Sequence, residues 1–314
     1  MKMKCLIADF MHESISELLI KIGVDPIYKP RITRSEILDS IQGYEGLLIR
    51  SKTKVDAELI ANASKLRFVG RAGAGIDNLD EEALEKAAIK ILNAPEGNRN
   101  AVGEHAMALL LGLLNHIYKS DQEVRNYTWD REGNRGTELA TKTVGLVGYG
   151  NMGQSFARKL SGFGCKIVAY DKYKDNYSDS IVVESTMEQL FEETDIFSLH
   201  VPLTSETLGM VDYEFLRRFK KPIYFLNTAR GEIVKLDALA RALKENKIIG
   251  AGLDVLENEK LTQLTDKQKE SFEYLTKSEK TILTPHVAGW SVESYQMINT
   301  VLVGKIESFI KGEI

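Results

Sequence analysis

With 314 residues the chain is too long for one ordinary core, and about 150 residues per domain predicts two domains. Hydrophobic residues at 43% and charged residues at 27% exclude a disordered chain and a membrane protein. The net charge of −4, with both signs interspersed, leaves no basic stripe for nucleic acid.

Met1-Lys2-Met3-Lys4 leads into a short apolar run that ends at Asp9, without the apolar region and cleavage site of a secretory leader. Cys5 and Cys165 lie in apolar runs and lack the spacing of a metal site or a disulfide framework, so they read as buried thiols of a reducing cytoplasm. No segment is apolar for long enough to cross a bilayer. Strands are predicted over residues 5–8, 46–49, 66–69, 144–147, 166–170, 196–199, 223–227 and 249–253. Segments of helical period lie at 14–22, 80–88, 154–160, 236–245 and 293–311. This alternation predicts an α/β protein with two doubly wound parallel sheets covered on both faces. Residues 104–118 separate the two series, and their run Ala106-Met107-Ala108-Leu109-Leu110-Leu111 is apolar nearly all round. Such a helix is expected to be buried, between domains or against another subunit. The polar arm 119–141, with Trp129 and little periodic pattern, is expected to embrace a partner subunit. The charged stretch 257–280 is expected to form a surface lobe or lid.

Gly148-Tyr149-Gly150-Asn151-Met152-Gly153 follows a predicted strand and opens a predicted helix. In that context the first glycine permits a tight turn, the second lets a pyrophosphate approach the backbone, and the third lets helix pack on strand. The phosphates of a dinucleotide would rest on the positive end of the helix. The next strand ends at Asp171, close to the spacing of about 20 residues at which a carboxylate accepts the ribose hydroxyls. That anion repels a 2′-phosphate, and Lys172 and Lys174 follow it without an Arg, which predicts NAD rather than NADP. Farther on, Asn227-Thr228-Ala229-Arg230-Gly231 runs from a strand into a turn, where doubly wound sheets place ligand groups. Arg230 is a candidate clamp for a carboxylate, although a lone Arg at a strand end equally serves a surface ion pair. Of the histidines, His12, His105 and His116 read as structural, His12 lying at a strand end, and no cluster has zinc-ligand spacing.

Taken together, residues 145–171, 195–202, 227–231 and 254–259, with Pro285-His286, resemble the D-isomer-specific 2-hydroxyacid dehydrogenase family over nearly the whole chain. The resemblance implies a flavodoxin-like substrate-binding domain made of residues 1–98 and 286–314, with an NAD-binding Rossmann domain, 99–285, inserted into it. It implies hydride transfer between the nicotinamide and C2 of a D-2-hydroxy or 2-keto acid. Cofactor contacts fall on Gly148, Gly150, Asn151, Met152, Gly153, Asp171, Thr228 and Ala229, with His200 and Pro202 beside the adenosine and Asp254 at the nicotinamide carboxamide. His286 is implied as general acid and base, Glu259 as the carboxylate that raises its pKa, and Arg230 as the clamp on the substrate carboxylate. A homodimer through the NAD domains and a cleft that closes on the ternary complex are also implied.

On the substrate side, Arg50 and Ser51, the loop Gly73-Ala74-Gly75 and Asn98 are most similar to the phosphoglycerate branch of the family. That branch implies backbone amides of the loop on the substrate carboxylate and Arg50 on a phosphate, with Lys52 and Arg71 as further cations. The expected reaction is 3-phosphoglycerate to 3-phosphohydroxypyruvate in serine biosynthesis, by a short form without the C-terminal regulatory domain or its serine feedback. Three departures keep a glyoxylate or hydroxypyruvate reductase open: Lys260 where the family usually has Pro, Lys235 where an acidic residue is common, and a bulky Trp290 that could line or narrow the pocket. A different class, an NAD-sensing corepressor-like binding module, keeps the same fold but usually adds long extensions. Formate dehydrogenases pair the histidine with Gln, and here that position is Glu259.

Overall fold

Short apolar runs near the N-terminus form strands β1 (Lys4–Ile7), β2 (Asp25–Tyr28), β3 (Gly46–Ile49), β4 (Phe68–Arg71) and β5 (Lys90–Asn93) in a computed structural model describing residues 2–314. Parallel neighbours need crossovers, supplied here by α1 (Ser14–Lys21), α2 (Arg34–Ser40), α3 (Ala57–Ala61) and α4 (Glu81–Lys86). Thr33, Asp56 and Asp80 accept backbone N–H groups of the first turns of α2, α3 and α4, so these polar residues set where the helices start. The sheet order is β2-β1-β3-β4-β5, all parallel, the flavodoxin-like order. One face buries Cys5, Ile7 and Leu48 against α1 and against Ile298, Leu302 and Ile306 of a C-terminal helix, Val292–Lys311. The other buries Leu6, Leu47 and Ile49 against Ile37, Leu59 and Leu84 of α2, α3 and α4.

Helix α5 (Pro95–Leu114) carries the chain into a second series, followed by α6 (Ile117–Arg125), β6 (Thr143–Val147), α7 (Asn151–Leu160), β7 (Lys166–Tyr170), β8 (Val183–Glu184) and α8 (Met187–Glu193). Then come β9 (Ile196–Leu199), α9 (Tyr213–Arg217), β10 (Ile223–Asn227), α10 (Leu236–Lys244), β11 (Ile248–Leu253), α11 (Asp266–Lys277), β12 (Thr281–Leu283) and α12, the helix Val292–Lys311. Their sheet is parallel throughout, in the order β12-β11-β10-β9-β6-β7-β8. That is the Rossmann order with one further strand, and it reverses between β6 and β9. The chain divides into two compact units, Met1–Arg99 with Trp290–Ile314, and Asn100–Gly289. The second unit therefore runs past the expected boundary at 285 and keeps His286, whose backbone N–H donates to Asp254 O at 2.7 Å.

Two expectations change and a third is narrowed. The apolar helix begins at Pro95 and stops at Leu114, and a left-handed His116 (φ 51°) separates it from α6. Its Ala106, Leu109, Leu110 and Leu113 are buried with Leu146, Phe156 and Leu226, so the sheet of its own unit covers that face. The arm contains α6, whose segment leaves Ile117, Tyr118, Val124, Tyr127 and Trp129 exposed. The stretch 257–280 takes the form of a surface lobe with a packed helix: Thr265 caps α11, and Leu275 of that helix is fully buried. Four strands, β2, β5, β8 and β12, have no counterpart among the predicted strands, and all four are sheet edges. Edge strands are short and half exposed, so their apolar signal is weak.

Asp9 follows β1 with 2% exposure. Its carboxylate accepts the N–H groups of Arg50 (2.6 Å), Lys52 (3.2 Å) and Thr53 (3.2 Å) and the Thr53 hydroxyl (2.5 Å), which fixes the turn after β3. Asp9→Ala strands these donors and should lower stability by about 2–4 kcal/mol, read as a fall in the urea midpoint by circular dichroism. An unchanged midpoint contradicts this account of the turn.

Candidate active site

The glycine loop leaves the carboxyl end of β6 at the reversal in strand order. Gly148 has φ +92°, and a Cβ there would lie 2.6 Å from the His200 carbonyl oxygen. A Cβ on Gly153 would lie 2.2 Å from Gly148 O, whereas one on Gly150 meets nothing within 4 Å. The first and third glycines are therefore packing requirements, and the second leaves main chain open to approach. No side chain caps α7, whose N-terminus, with Asn151 and Met152, follows directly. Asp171 accepts Tyr149 N–H at 2.8 Å and Tyr173 N–H at 3.0 Å, one on each oxygen, which keeps lone pairs for ribose hydroxyls. Lys172 and Lys174 are committed elsewhere, to Glu206 and to the Tyr149 carbonyl. Thr228 Oγ1 is buried without a hydrogen-bond partner beside Ala229, a polar atom suited to a ligand. These residues fit a dinucleotide.

Two predicted cofactor residues, His200 and Asp254, are bonded to their own neighbours. The His200 imidazole is buried, with Nε2 2.9 Å from Ser198 Oγ, and burial pushes its pKa down to about 4. The ring is neutral, its Nδ1 is buried without a hydrogen-bond partner, and Pro202 is exposed. Asp254 is wholly buried and ties down the chain before α12. Its Oδ1 accepts the Thr284 hydroxyl (2.6 Å) and Val287 N–H (2.9 Å), and its Oδ2 accepts Ala288 N–H (2.8 Å). Burial works to raise this carboxyl, but hydrogen bonds from His105, Thr284 and the backbone hold it below its ordinary range.

The turn that Asp254 holds presents His286 in the left-handed region at φ +56°. This conformation costs a residue other than Gly about 1–2 kcal/mol. His286 Nδ1 lies 2.8 Å from Glu259 Oε1, and both side chains are 48% exposed, so the ring has a fixed partner and an open edge. The hydrogen bond to Glu259 raises the His286 pKa, while burial and the charge of Arg230 oppose it. Arg230 follows β10, where Asn227 Nδ2 donates to Arg230 O (2.9 Å) and Asn227 Oδ1 accepts Ala229 N–H (3.0 Å). Gly231 is obligatory, since a Cβ would lie 1.8 Å from Leu256 O. Both departures near Glu259 have local reasons. Lys260 N–H donates to Asn258 Oδ1, a bond proline would remove, and Lys235 pairs with Glu257.

In the first unit the Arg50 guanidinium lies 3.7 Å from the Trp290 ring centroid and 5.4 Å from that of Tyr295. Trp290 thus supports the cation. Asn78 Nδ2 donates to Arg50 O, and Ser51 is exposed beside it. Lys52 supplies no second free cation, because its Nζ donates to the carbonyls of Ala8, Pro30 and Ile32. Gly73 has φ +143°, and a Cβ would meet Arg71 Nη1 at 1.8 Å. Asn93 Nδ2 donates to Ala74 O, bracing the loop that ends at Gly75, and Asn98 Oδ1 is buried without a partner. Among the described residues, no group of three or more His, Cys, Asp or Glu could hold a metal, and no helix is long and apolar enough to cross a membrane.

A model of the D-isomer specific 2-hydroxyacid dehydrogenase NAD binding domain matches residues 107–288, the stretch from α5 through His286. The chain belongs to the D-isomer specific 2-hydroxyacid dehydrogenase family. Its second unit is the NAD-binding domain of that family, and NAD is its cofactor. A D-3-phosphoglycerate dehydrogenase of Archaeoglobus fulgidus is 32% identical over 312 residues, 99% of this chain and 58% of that protein. The chain thus spans little more than half of that relative. A hydroxypyruvate reductase of Thermotoga maritima is 33% identical over 298 residues, 95% of each chain. A D-lactate dehydrogenase from Aquifex aeolicus, solved with NAD and lactic acid, superposes with a TM-score of 0.83 at 26% identity, covering 98% of this chain and 96% of that one.

Sequence reading missed Asp9, Asn78 and Asn227, which bond the backbone of turns, and His105, which bonds Thr284. Their only signal was position: Asp9 and Asn227 at strand ends, Asn78 in a turn and His105 on a helix. In wild type the His286 imidazole should titrate above the ordinary histidine pKa of about 6.5, and Glu259→Gln should bring it down toward that value. Nuclear magnetic resonance of the imidazole checks this; a titration unmoved by the substitution removes Glu259 as the cause.

Proposed function

We propose that the chain is an oxidoreductase that moves a hydride between NAD and C2 of a D-2-hydroxy or 2-keto acid. The observation that carries the reading is the His286–Glu259 pair. With Nδ1 donating to the carboxylate at 2.8 Å, Nε2 is left for the substrate oxygen. In reduction, Nε2–H of the imidazolium gives its proton to the carbonyl oxygen at C2. In oxidation, the neutral Nε2 takes the hydroxyl proton. Glu259 keeps the acid form populated to higher pH, so reductive kcat/KM should fall as pH rises through the raised pKa. Arg230 holds the substrate carboxylate and polarises its carbonyl, and in the first unit Gly73, Ala74 and Gly75 offer backbone amides suited to an anion. Asp171, the glycine loop, Thr228 and Ala229 bind the dinucleotide, which supplies the hydride when bound.

For the substrate we favour 3-phosphoglycerate and 3-phosphohydroxypyruvate, with a place in serine biosynthesis. Support comes from Arg50, whose guanidinium faces aromatic rings rather than a carboxylate within salt-bridge distance among the described residues. Ser51 and Asn98 add polar groups. The second reading, a hydroxypyruvate reductase, is favoured by Trp290 covering one face of Arg50 and by a relative of that name with matching length. The exposed Tyr127 and Trp129 near α6 support a homodimer through the NAD domains. Two free thiols, Cys5 and Cys165, fit a reducing cytoplasm.

Purified protein with NADH should reduce phosphohydroxypyruvate. Inactivity on it and on hydroxypyruvate, glyoxylate and pyruvate, across about pH 5 to 9, ends the dehydrogenase reading and leaves a binding module. Arg50→Ala should lower kcat/KM for phosphohydroxypyruvate by about 10- to 100-fold, the worth of a charged hydrogen bond, while hydroxypyruvate stays within about threefold. Equal losses on both substrates sink the phosphate role.

A further inference from the structure

By sequence His105 is a structural histidine on an apolar helix. In the fold it reaches across 179 residues of sequence, its Nε2 standing 2.9 Å from Thr284 Oγ1 and 3.4 Å from Asp254 Oδ1. The direction of these bonds follows from the partners. An ionised carboxylate only accepts, so the single Thr284 proton goes to Asp254 Oδ1 at 2.6 Å. Thr284 Oγ1 must then accept from His105, which puts a proton on Nε2 and aims it also at Asp254. The relay continues through Asp254, which receives the N–H groups of Val287 and Ala288 and whose backbone carbonyl receives the N–H of His286. His105 and Thr284 donate from one side and the N–H groups of the left-handed turn from the other, so these bonds converge on Asp254.

We propose that His105 is a positioning residue for proton transfer: through Thr284 and the Asp254 carboxylate it holds the turn that aims His286. The inference rests on the reading of His286 as the acid and base, and it adds a residue that touches neither substrate nor cofactor. Its physical content is compensation of a buried charge. Asp254 is fully buried, and loss of the His105 donor leaves its charge less compensated, so the whole arrangement of carboxylate and turn becomes less stable and opens more often. His286 then gains freedom to leave φ +56° for an ordinary conformation.

Two substitutions at His105 separate positioning from packing. Gln can place an amide N–H near the Nε2 position, whereas Leu fills the volume without a donor. His105→Leu should lower kcat for 2-keto acid reduction about tenfold while KM changes less than about twofold, and His105→Gln should recover at least about half of the wild-type kcat. Amide hydrogen exchange of the free protein gives a readout independent of turnover: Val287 and Ala288 should exchange about tenfold faster in the Leu variant and at the wild-type rate in the Gln variant. If His105→Leu does not fold, Thr284→Val cuts the same relay and should show the same faster exchange. Unchanged exchange and kcat in His105→Leu overturns the proposal, as does an equal loss in the Leu and Gln variants. A wild-type protein that reduces no 2-keto acid defeats the reading of the reaction, whereas the exchange comparison still decides whether His105 holds the turn.

Discussion

A buried carboxylate governs the chemistry end of this molecule. Asp254, at the end of β11, has no exposure and spends its oxygens on the chain after β12. A buried charge is tolerated only when hydrogen bonds replace the lost water, so the turn at 286–288 has little choice of conformation. That constraint is what allows a histidine to sit at φ +56° without glycine's freedom. The backbone is held from behind and the ring from the side by Glu259, so the imidazole needs no further partner to keep Nε2 outward.

The same device appears at the first unit on another acidic residue. Asp9, also buried, collects the N–H groups of Arg50, Lys52 and Thr53 and thereby sets where the Arg50 backbone leaves β3. Trp290 and Tyr295 then flank the guanidinium. A cation stacked on aromatic faces keeps its edge N–H groups in one plane, the geometry that suits a planar or tetrahedral oxyanion. In both units an acidic residue at a strand's carboxyl end orients a basic residue borne on a neighbouring strand's exit loop. Parallel sheets make this possible because all strands of a sheet end on one side.

Electrostatic roles divide among the histidines by environment rather than by type. His200 is driven neutral by burial, His286 is pushed toward its charged form by Glu259, and His105 carries its Nε2 proton because Thr284 leaves no alternative. Their apolar or mixed sequence surroundings look alike, so no local pattern separates them.

By itself the sequence determined the two doubly wound sheets, the central strands and the glycine loop with Asp171, and it marked Arg230, Glu259 and His286 as candidates for one site. These are legible because each is a local signal: apolar runs of strand length, glycines at fixed spacing, or segments that resemble a family. Tertiary structure alone decided the edge strands, whose half-exposed residues carry little pattern, and the packing of 257–280 as a capped helix. It also turned Asp254 inward and made Lys52 a clamp on three carbonyls. His105 became a partner of Thr284. Those assignments depend on hydrogen bonds between residues far apart in sequence, and such bonds leave no periodicity to read.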